Sequence, residues 1–307
     1  MDTKALFRKF ESTTVLVIGD FIVDVNTYVE NIKPLDDSTP VYRAIPEPNR
    51  GKTDIYSEGG AALVVRNLLE LGAEVDFITA FGYGSGALHA IGFSPPRCRI
   101  HSTQVRKPQT VKHRYWCEGK KVFAVDVMDN APLTETEADG VMLKYALALS
   151  HADVVVVADY RHGLISEPMA KRIVELANKA GKPIYVSSQV AQSESNHHWY
   201  KSETTRFVMN AAEIGGSKES GGWEDMYITL GDRGCQVFLR DNHMGVEIPA
   251  IKVSGVDSCG AGDAYLSALS LSKSAVFANT WAGLSCTVKG ANPPTRKMLE
   301  DWCNAHS

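Results

Sequence analysis

The 307-residue chain has no run of about 18 consecutive apolar residues, so no membrane-spanning helix is expected. Its opening stretch, MDTKALFRKFESTTVLVIGD, lacks an apolar segment leading to a small-residue cleavage site, and no secretory leader is expected. CxxC spacing is missing as well. The cysteines at 98, 117, 235, 259, 286 and 303 are scattered, which reads as free thiols in a reducing cytoplasm. No long block carries one sign of charge, and the net charge is only −4, which argues against a nucleic-acid partner. Internal repeats, low-complexity tracts and linkers are absent, so a single domain over 1–307 is expected. What is present is 44% hydrophobic and 22% charged residues, enough for a soluble protein with a substantial core.

β-branched runs alternate with amphipathic stretches. TVLVIGD (14–20), EVDFITAFG (74–82), ADVVVVADY (152–160), KPIYVSS (182–188) and DMYITLGDRG (225–234) read as buried strands, several running into Gly turns. Helices are expected at 61–72, 134–150, 167–181 and about 260–273, 275–290 and 295–304. Thr134 with Glu137 fits a capping box, and Pro168 lies in the first turn of its helix. Strands alternating with helices of this length imply βαβ units, hence an α/β fold with a mainly parallel sheet. Residues 25–56 and about 99–127 break the rhythm, with alternating polar and apolar residues and no helix between. They are expected to form a small β lid, with KHRYWCEGKKVFAVDV (112–127) a hairpin turning at Glu118-Gly119. The Pro/Gly-rich patch at 82–97 reads as a loop or short helix.

The stretch VDSCGAGDAYLSAL (256–269) places Gly260, Ala261 and Gly262 before an acid, Asp263, and an apolar helical run. In open α/β sheets ligands bind outside the carboxyl ends of the strands. A glycine turn opening a helix there offers bare amides and the positive end of the dipole to an anion. A carboxylate beside that anion would repel it, but is well placed to take a proton from a hydroxyl attacking phosphorus. Asp263 alone reads equally as a first-turn acid favoured by the dipole. TLGDRG (229–234), alone, is an ordinary turn; in the order strand, TLGDRG, two strands, DSCGAGD, helix, the pair becomes specific.

That order resembles the ribokinase-like (PfkB) carbohydrate kinases, whose D-T-x-G-A-G-D appears here as Asp257 to Asp263. VLVIGDFIVDV (15–25), SEGGAALVVRNLLELGAEV (57–75), NAAE (210–213) and FANTWAGLSCTVKGANPPT (277–295) extend the resemblance over nearly the whole chain. It implies a three-layer α/β/α fold, an ATP-dependent sugar kinase, and Mg²⁺. On this resemblance Asp263 is the base, and the amides of Gly260, Ala261 and Gly262 are the anion hole. Asn210, Thr229, Gly231 and Gly234 hold nucleotide phosphates, and Asn279 borders the adenine pocket. Glu213 orders Mg²⁺ through water. Asp24, Gly59, Gly60 and Asn67 grip sugar hydroxyls. Lys112, Arg114, Lys120 and Lys121 offer cations for a phosphate on the sugar, Arg114 being favoured for its forked donors.

Within the family, GDFIVDV, the GGAA box, ADVVVVADYRHGLIS (152–166) and TVKHRYW are similar to heptose-7-phosphate kinases. The substrate half departs from them. Leu63 stands where relatives have Asn, Ser187-Ser188-Gln189 where they have Asp-Pro-Lys, and His162 where they have Lys. A binding module that has lost its chemistry, or a kinase of a nucleoside or fructose phosphate, stays open beside a sugar or sugar-phosphate kinase. The edges of a β lid invite pairing, so a homodimer through the lid sheets is expected.

Overall fold

The computed structural model describes residues 3–32, 40–46, 52–83, 92–189, 194–215, 225–240, 242–254 and 257–306. Parts of the expected lid (33–39, 47–51) and of the 82–97 loop (84–91) lie outside these residues.

The larger sheet has nine strands. From one edge to the other they are β14 (Asn242–Ile248), β13 (Cys235–Leu239), β12 (Met226–Thr229), β11 (Thr205–Asn210), β10 (Ile184–Ser188), β9 (Val154–Asp159), β1 (Thr14–Gly19), β5 (Glu74–Tyr83) and β6 (Cys98–Pro108). Neighbours from β12 to β6 are parallel; β13 and β14 join antiparallel at one edge. Parallel strands need crossovers, which put helices on both faces and bury each strand twice. Val15 and Val17 accordingly enter one core while Leu16 and Ile18 enter the other, and Val154 and Val156 oppose Val155 and Val157 in the same way. The first core is closed by α1 (Thr3–Glu11), α2 (Ala61–Leu71), α6 (Ala261–Ser272), α7 (Ala275–Ser285) and α8 (Arg296–Ala305). The second is closed by α3 (Glu135–Leu149) and α4 (Glu167–Lys179). A short α5 (Ala211–Gly215) follows β11. The expected α/β/α layers are thus present, as is the Thr134–Glu137 capping box.

The second sheet has five strands: β3 (Tyr42–Ala44), β2 (Phe21–Asn31), β7 (Val111–Cys117), β8 (Lys120–Val127), and β4 (Asp54–Gly60) paired with β2. The expected lid segment at 99–127 is corrected here. Residues 98–108 form β6, parallel to β5 at the edge of the main sheet, and only β7 and β8 belong to the second sheet. An edge strand with one wet face carries the same period-two alternation as a lid strand, so RIHSTQV could not be told apart by pattern. Among the described helices and strands, α1, β11 and the short α5 escaped the sequence reading. Phe7 and Phe10 are the buried residues of α1, a short signal for nine residues. The helix expected at 275–290 stops at Ser285, where Thr287 and Val288 donate back to Leu284 and Ser285 in a tightened final turn.

Chain connections leave β1 toward β5 and β9 toward β10, on opposite sides. The crevice between the carboxyl ends of β1 and β9 is therefore the topological switch point, where such sheets receive ligands.

Candidate active site

Helix α6 packs on α2, β9 and β10, with its N-terminus at that crevice. Gly260 caps it in the left-handed region at φ 81°, and a Cβ there would come 2.6 Å from Cδ2 of Leu63. The leucine that replaces an expected sugar-binding Asn is thus packing beneath the turn. Asp257 ties the turn down. Its Oδ1 accepts from the Cys259 amide at 3.0 Å and its Oδ2 from the Gly290 amide at 3.2 Å. Ala261 donates its amide to the Ser258 carbonyl at 3.2 Å, so this residue closes the turn rather than offering a free donor. Among the described residues, the amides of Gly260 and Gly262 meet no acceptor, as befits a helix N-terminus that faces a ligand.

Asp263 is the third residue of α6, and its Oδ1 accepts a hydrogen bond from the Tyr160 phenol. Burial pushes its carboxyl up to about 7, Tyr160 pulls against that, Asp24 reinforces it and Lys112 opposes it. Asp24 lies on β2, opposite Lys112 of β7. Burial raises its carboxyl too, against the pull of Lys112 and Arg114. A Cβ on Gly59 would fall 2.1 Å from Asp24 Oδ2, so only glycine leaves the carboxylate its place. Gly60 caps α2, and the next amide, of Ala61, donates to the Asp20 carbonyl at 2.9 Å. Glycine turns of both α2 and α6 thus border the region around Asp24 and Asp263.

Two residues expected to touch the substrate have partners within the chain. Asn67 is 1% exposed. Its Nδ2 donates to the Leu63 carbonyl and its Oδ1 accepts from Trp281 Nε1, each at 2.9 Å, so it is a satisfied core amide between α2 and α7. Arg114 is held by Asp126 at 2.5 Å. Lys112, in contrast, makes no ion pair among the described residues, though its charge is felt by Asp24, Asp263 and His162. His162, where relatives carry a lysine, supplies no cation. Burial and the nearby Lys112 and Lys107 lower it to about 4, and its Nδ1 pairs with Asn130 Oδ1 at 2.9 Å.

On the nucleotide side, Asn210 and Thr229 stand next to each other at the ends of β11 and β12. Asn210 and Glu213 bond reciprocally, amide to carboxylate at 2.8 and 2.9 Å and Glu213 amide to Asn210 Oδ1 at 3.0 Å. Burial raises Glu213 to about 7 against the backbone bond from Asn210, and Asp263 adds to the rise. The Thr229 hydroxyl donates to the Met209 carbonyl at 3.3 Å. Gly231 is exposed in open space. Gly234 is buried and its amide is taken by the Gly231 carbonyl at 3.1 Å, which closes the turn. Asn279 is likewise spent: its Nδ2 donates to the carbonyls of Pro249 at 2.6 Å and Ile248 at 3.4 Å. Among the described residues no three His, Cys, Asp or Glu side chains cluster to hold a metal. The two Glu213 oxygens are already accepting. This donor set suits a Mg²⁺ held mainly by nucleotide phosphates and water, with Glu213 behind the water.

Tyr160 and Asp20 were given no role by the sequence. Both lie just past strand ends at the switch point, which is the signal that could have found them.

The chain matches the pattern of the pfkB family carbohydrate kinases over residues 12–298. It is similar to the bifunctional protein HldE of Caulobacter vibrioides, at 28% identity over 95% of this chain and 64% of that one. It is also similar to the HldE of Mesorhizobium japonicum, at 30% identity over 58% of this chain and 35% of that one. The chain thus spans less than two thirds of the length of these relatives. The fold is shared with a ribokinase of Arabidopsis thaliana solved with ribose and ATP, at a TM-score of 0.66 and 16% identity, covering 94% of this chain and 98% of that one.

Proposed function

From the premise that the chain belongs to the pfkB family of carbohydrate kinases, we propose that it moves the γ-phosphoryl group of ATP to a hydroxyl of a sugar or sugar phosphate. One observation carries the reading: Asp263 sits at a helix N-terminus beside the amides of Gly260 and Gly262, which meet no acceptor among the described residues, and close enough to Asp24 for that carboxylate to raise the pKa of its own. Asp24 orients the acceptor, and Asp263 takes the proton of the attacking hydroxyl as the new O–P bond forms and ADP leaves. The Gly260 and Gly262 amides meet the charge that gathers on the transferred group. Asn210, Thr229 and Gly231 border the nucleotide phosphates. Mg²⁺, when bound, neutralises charge on the β- and γ-phosphates.

The acceptor favoured is one that already carries a phosphate, of the heptose 7-phosphate kind. Lys112, without an ion pair among the described residues, supports this, as does the likeness of GDFIVDV and ADYRHG to that subfamily. With Arg114 paired to Asp126 and His162 neutral, Lys112, opposite Asp24 in the strand register, is the cation favoured for that phosphate. A second reading, a nucleoside or fructose-phosphate kinase or a module that binds without turnover, is favoured by the apolar Leu63 and neutral His162. The second sheet supports a homodimer: β8 is exposed along its whole length, with Val122, Phe123, Val125 and Val127 on the surface. Light scattering giving one-chain mass would contradict this.

The test is a thermal-shift screen of sugar phosphates, free sugars and nucleosides with an ATP analogue and Mg²⁺, followed by ADP release for each hit. Turnover on a sugar or sugar phosphate is expected. Binding with no ADP release from any compound would support the binding module and end the kinase reading.

A further inference from the structure

Among the described residues, the Asp263 carboxylate accepts one side-chain hydrogen bond, from the phenol of Tyr160. Tyr160 is itself held in an unusual way. Its amide donates to Asp20 Oδ2 at 3.0 Å, and the same carboxylate takes the amides of His162 at 3.4 Å and Leu164 at 3.3 Å. The residue before it, Asp159, is fixed by the Arg161 amide at 2.9 Å, by Asn196 Nδ2 at 2.8 Å and by the Tyr200 phenol at 2.8 Å. Two anchored carboxylates at the ends of β1 and β9 therefore clamp the loop that carries Tyr160 to Asp263. Asp20 is 6% and Asp159 1% exposed, a costly arrangement unless the loop geometry matters.

We propose that Tyr160 is the positioning residue of the base: its phenol holds Asp263 Oδ1 and leaves Oδ2 to receive the acceptor's proton. This rests on the kinase reading for its catalytic consequence. A donor to a carboxylate binds the ionised form more strongly than the acid, so it favours the state that can act as a base. Burial, with Asp263 adding to it, keeps the phenol protonated well above neutral pH, so Tyr160 donates throughout and takes no proton itself. During transfer the hydroxyl proton passes to Asp263 Oδ2, the acceptor oxygen bonds phosphorus, and the bridging bond to ADP breaks. The other titratable groups around Asp263 are Asp24 on β2, Lys112 on β7, Glu213 on α5 and Cys259 in the turn.

The test is a titration of the free protein by ¹³C NMR with Cγ-labelled aspartate, Asp263→Asn giving the assignment. Tyr160→Phe should move the Asp263 midpoint up from about 7 by about one pH unit. Placing 2,3-difluorotyrosine at 160, a stronger donor of nearly the same shape, should move it down. Local damage cannot produce shifts of opposite sign. A midpoint unmoved by both replacements, or moved the same way by both, overturns the proposal. If the opposed shifts appear in a protein that phosphorylates nothing, the Tyr160 link stands and the kinase reading falls.

Discussion

Replacing Asn67 by Ala separates a structural amide from a sugar ligand. The side chain makes two buried hydrogen bonds of 2.9 Å, to the Leu63 carbonyl and from Trp281 Nε1. Losing the bond to Leu63 costs about 1 kcal/mol net, and stranding the indole N–H of a fully buried tryptophan costs about 1–2 kcal/mol. The small cavity left by the amide adds to this, for a destabilisation of about 3 kcal/mol. With an unfolding entropy of about 2.1 cal/mol/K per residue over 307 residues, Tm should fall by roughly 5 °C. The acceptor KM, measured well below Tm, should stay within about twofold, because the ring of Trp281 and not the substrate is the partner. Thermal and urea unfolding beside steady-state kinetics read both quantities. A tenfold rise in acceptor KM with Tm unchanged would refute this placement of Asn67.

Three further outcomes follow from the geometry. Gly59→Ala pushes a methyl to 2.1 Å from Asp24 Oδ2, so the carboxylate must swing away; acceptor KM should rise about tenfold with a stability loss under about 1 kcal/mol, and an unchanged KM would show that Asp24 does not touch the acceptor. Lys112→Met should raise KM for a phosphorylated acceptor about tenfold and leave ATP unaffected, whereas Arg114→Met, which breaks the pair with Asp126, should do less; the reverse ranking would return the role to Arg114. Stability should rise on acidification from pH 8 to pH 6. Asp20, Glu213 and Asp263 keep their protons up to about 7 when folded, so the folded state binds more protons than the unfolded chain and loses stability as pH climbs through that window. His162 and His197, both lowered to about 4 by burial, pull the other way; the three acids outweigh the two histidines by roughly 1 kcal/mol after screening, or about 2 °C, and a lower Tm at pH 6 would contradict the balance.

Long apolar strands such as ADVVVVADY and capped helices such as that after Thr134 were legible, because burial on both faces and capping leave period and composition marks. β6 was misassigned since half-burial looks alike at a sheet edge and in a lid. The place of Asp263 in the first turn of a helix was legible in GAGD, where a bare turn, a helix start and an acid coincide. The partners of Asn67, Gly234 and Asn279 were not legible, because a motif names residue types, whereas packing decides which neighbouring carbonyl an amide meets. Lys112 and Arg114 are two apart on one strand, and the sequence had no means of showing that Asp126 claims Arg114. The place of Tyr160 past a strand end was legible, but its pairing with Asp263, 103 residues away, was not.

The central claim is that Asp263 removes the acceptor's proton. Rapid-quench transfer of labelled γ-phosphate from ATP with Mg²⁺ at pH 8, comparing the intact protein with Asp263→Asn on the sugar that gives turnover, tests it most directly. The asparagine variant should still bind the ATP analogue but transfer phosphate about 10²–10⁴-fold more slowly. A transfer rate within tenfold of the original would contradict the account.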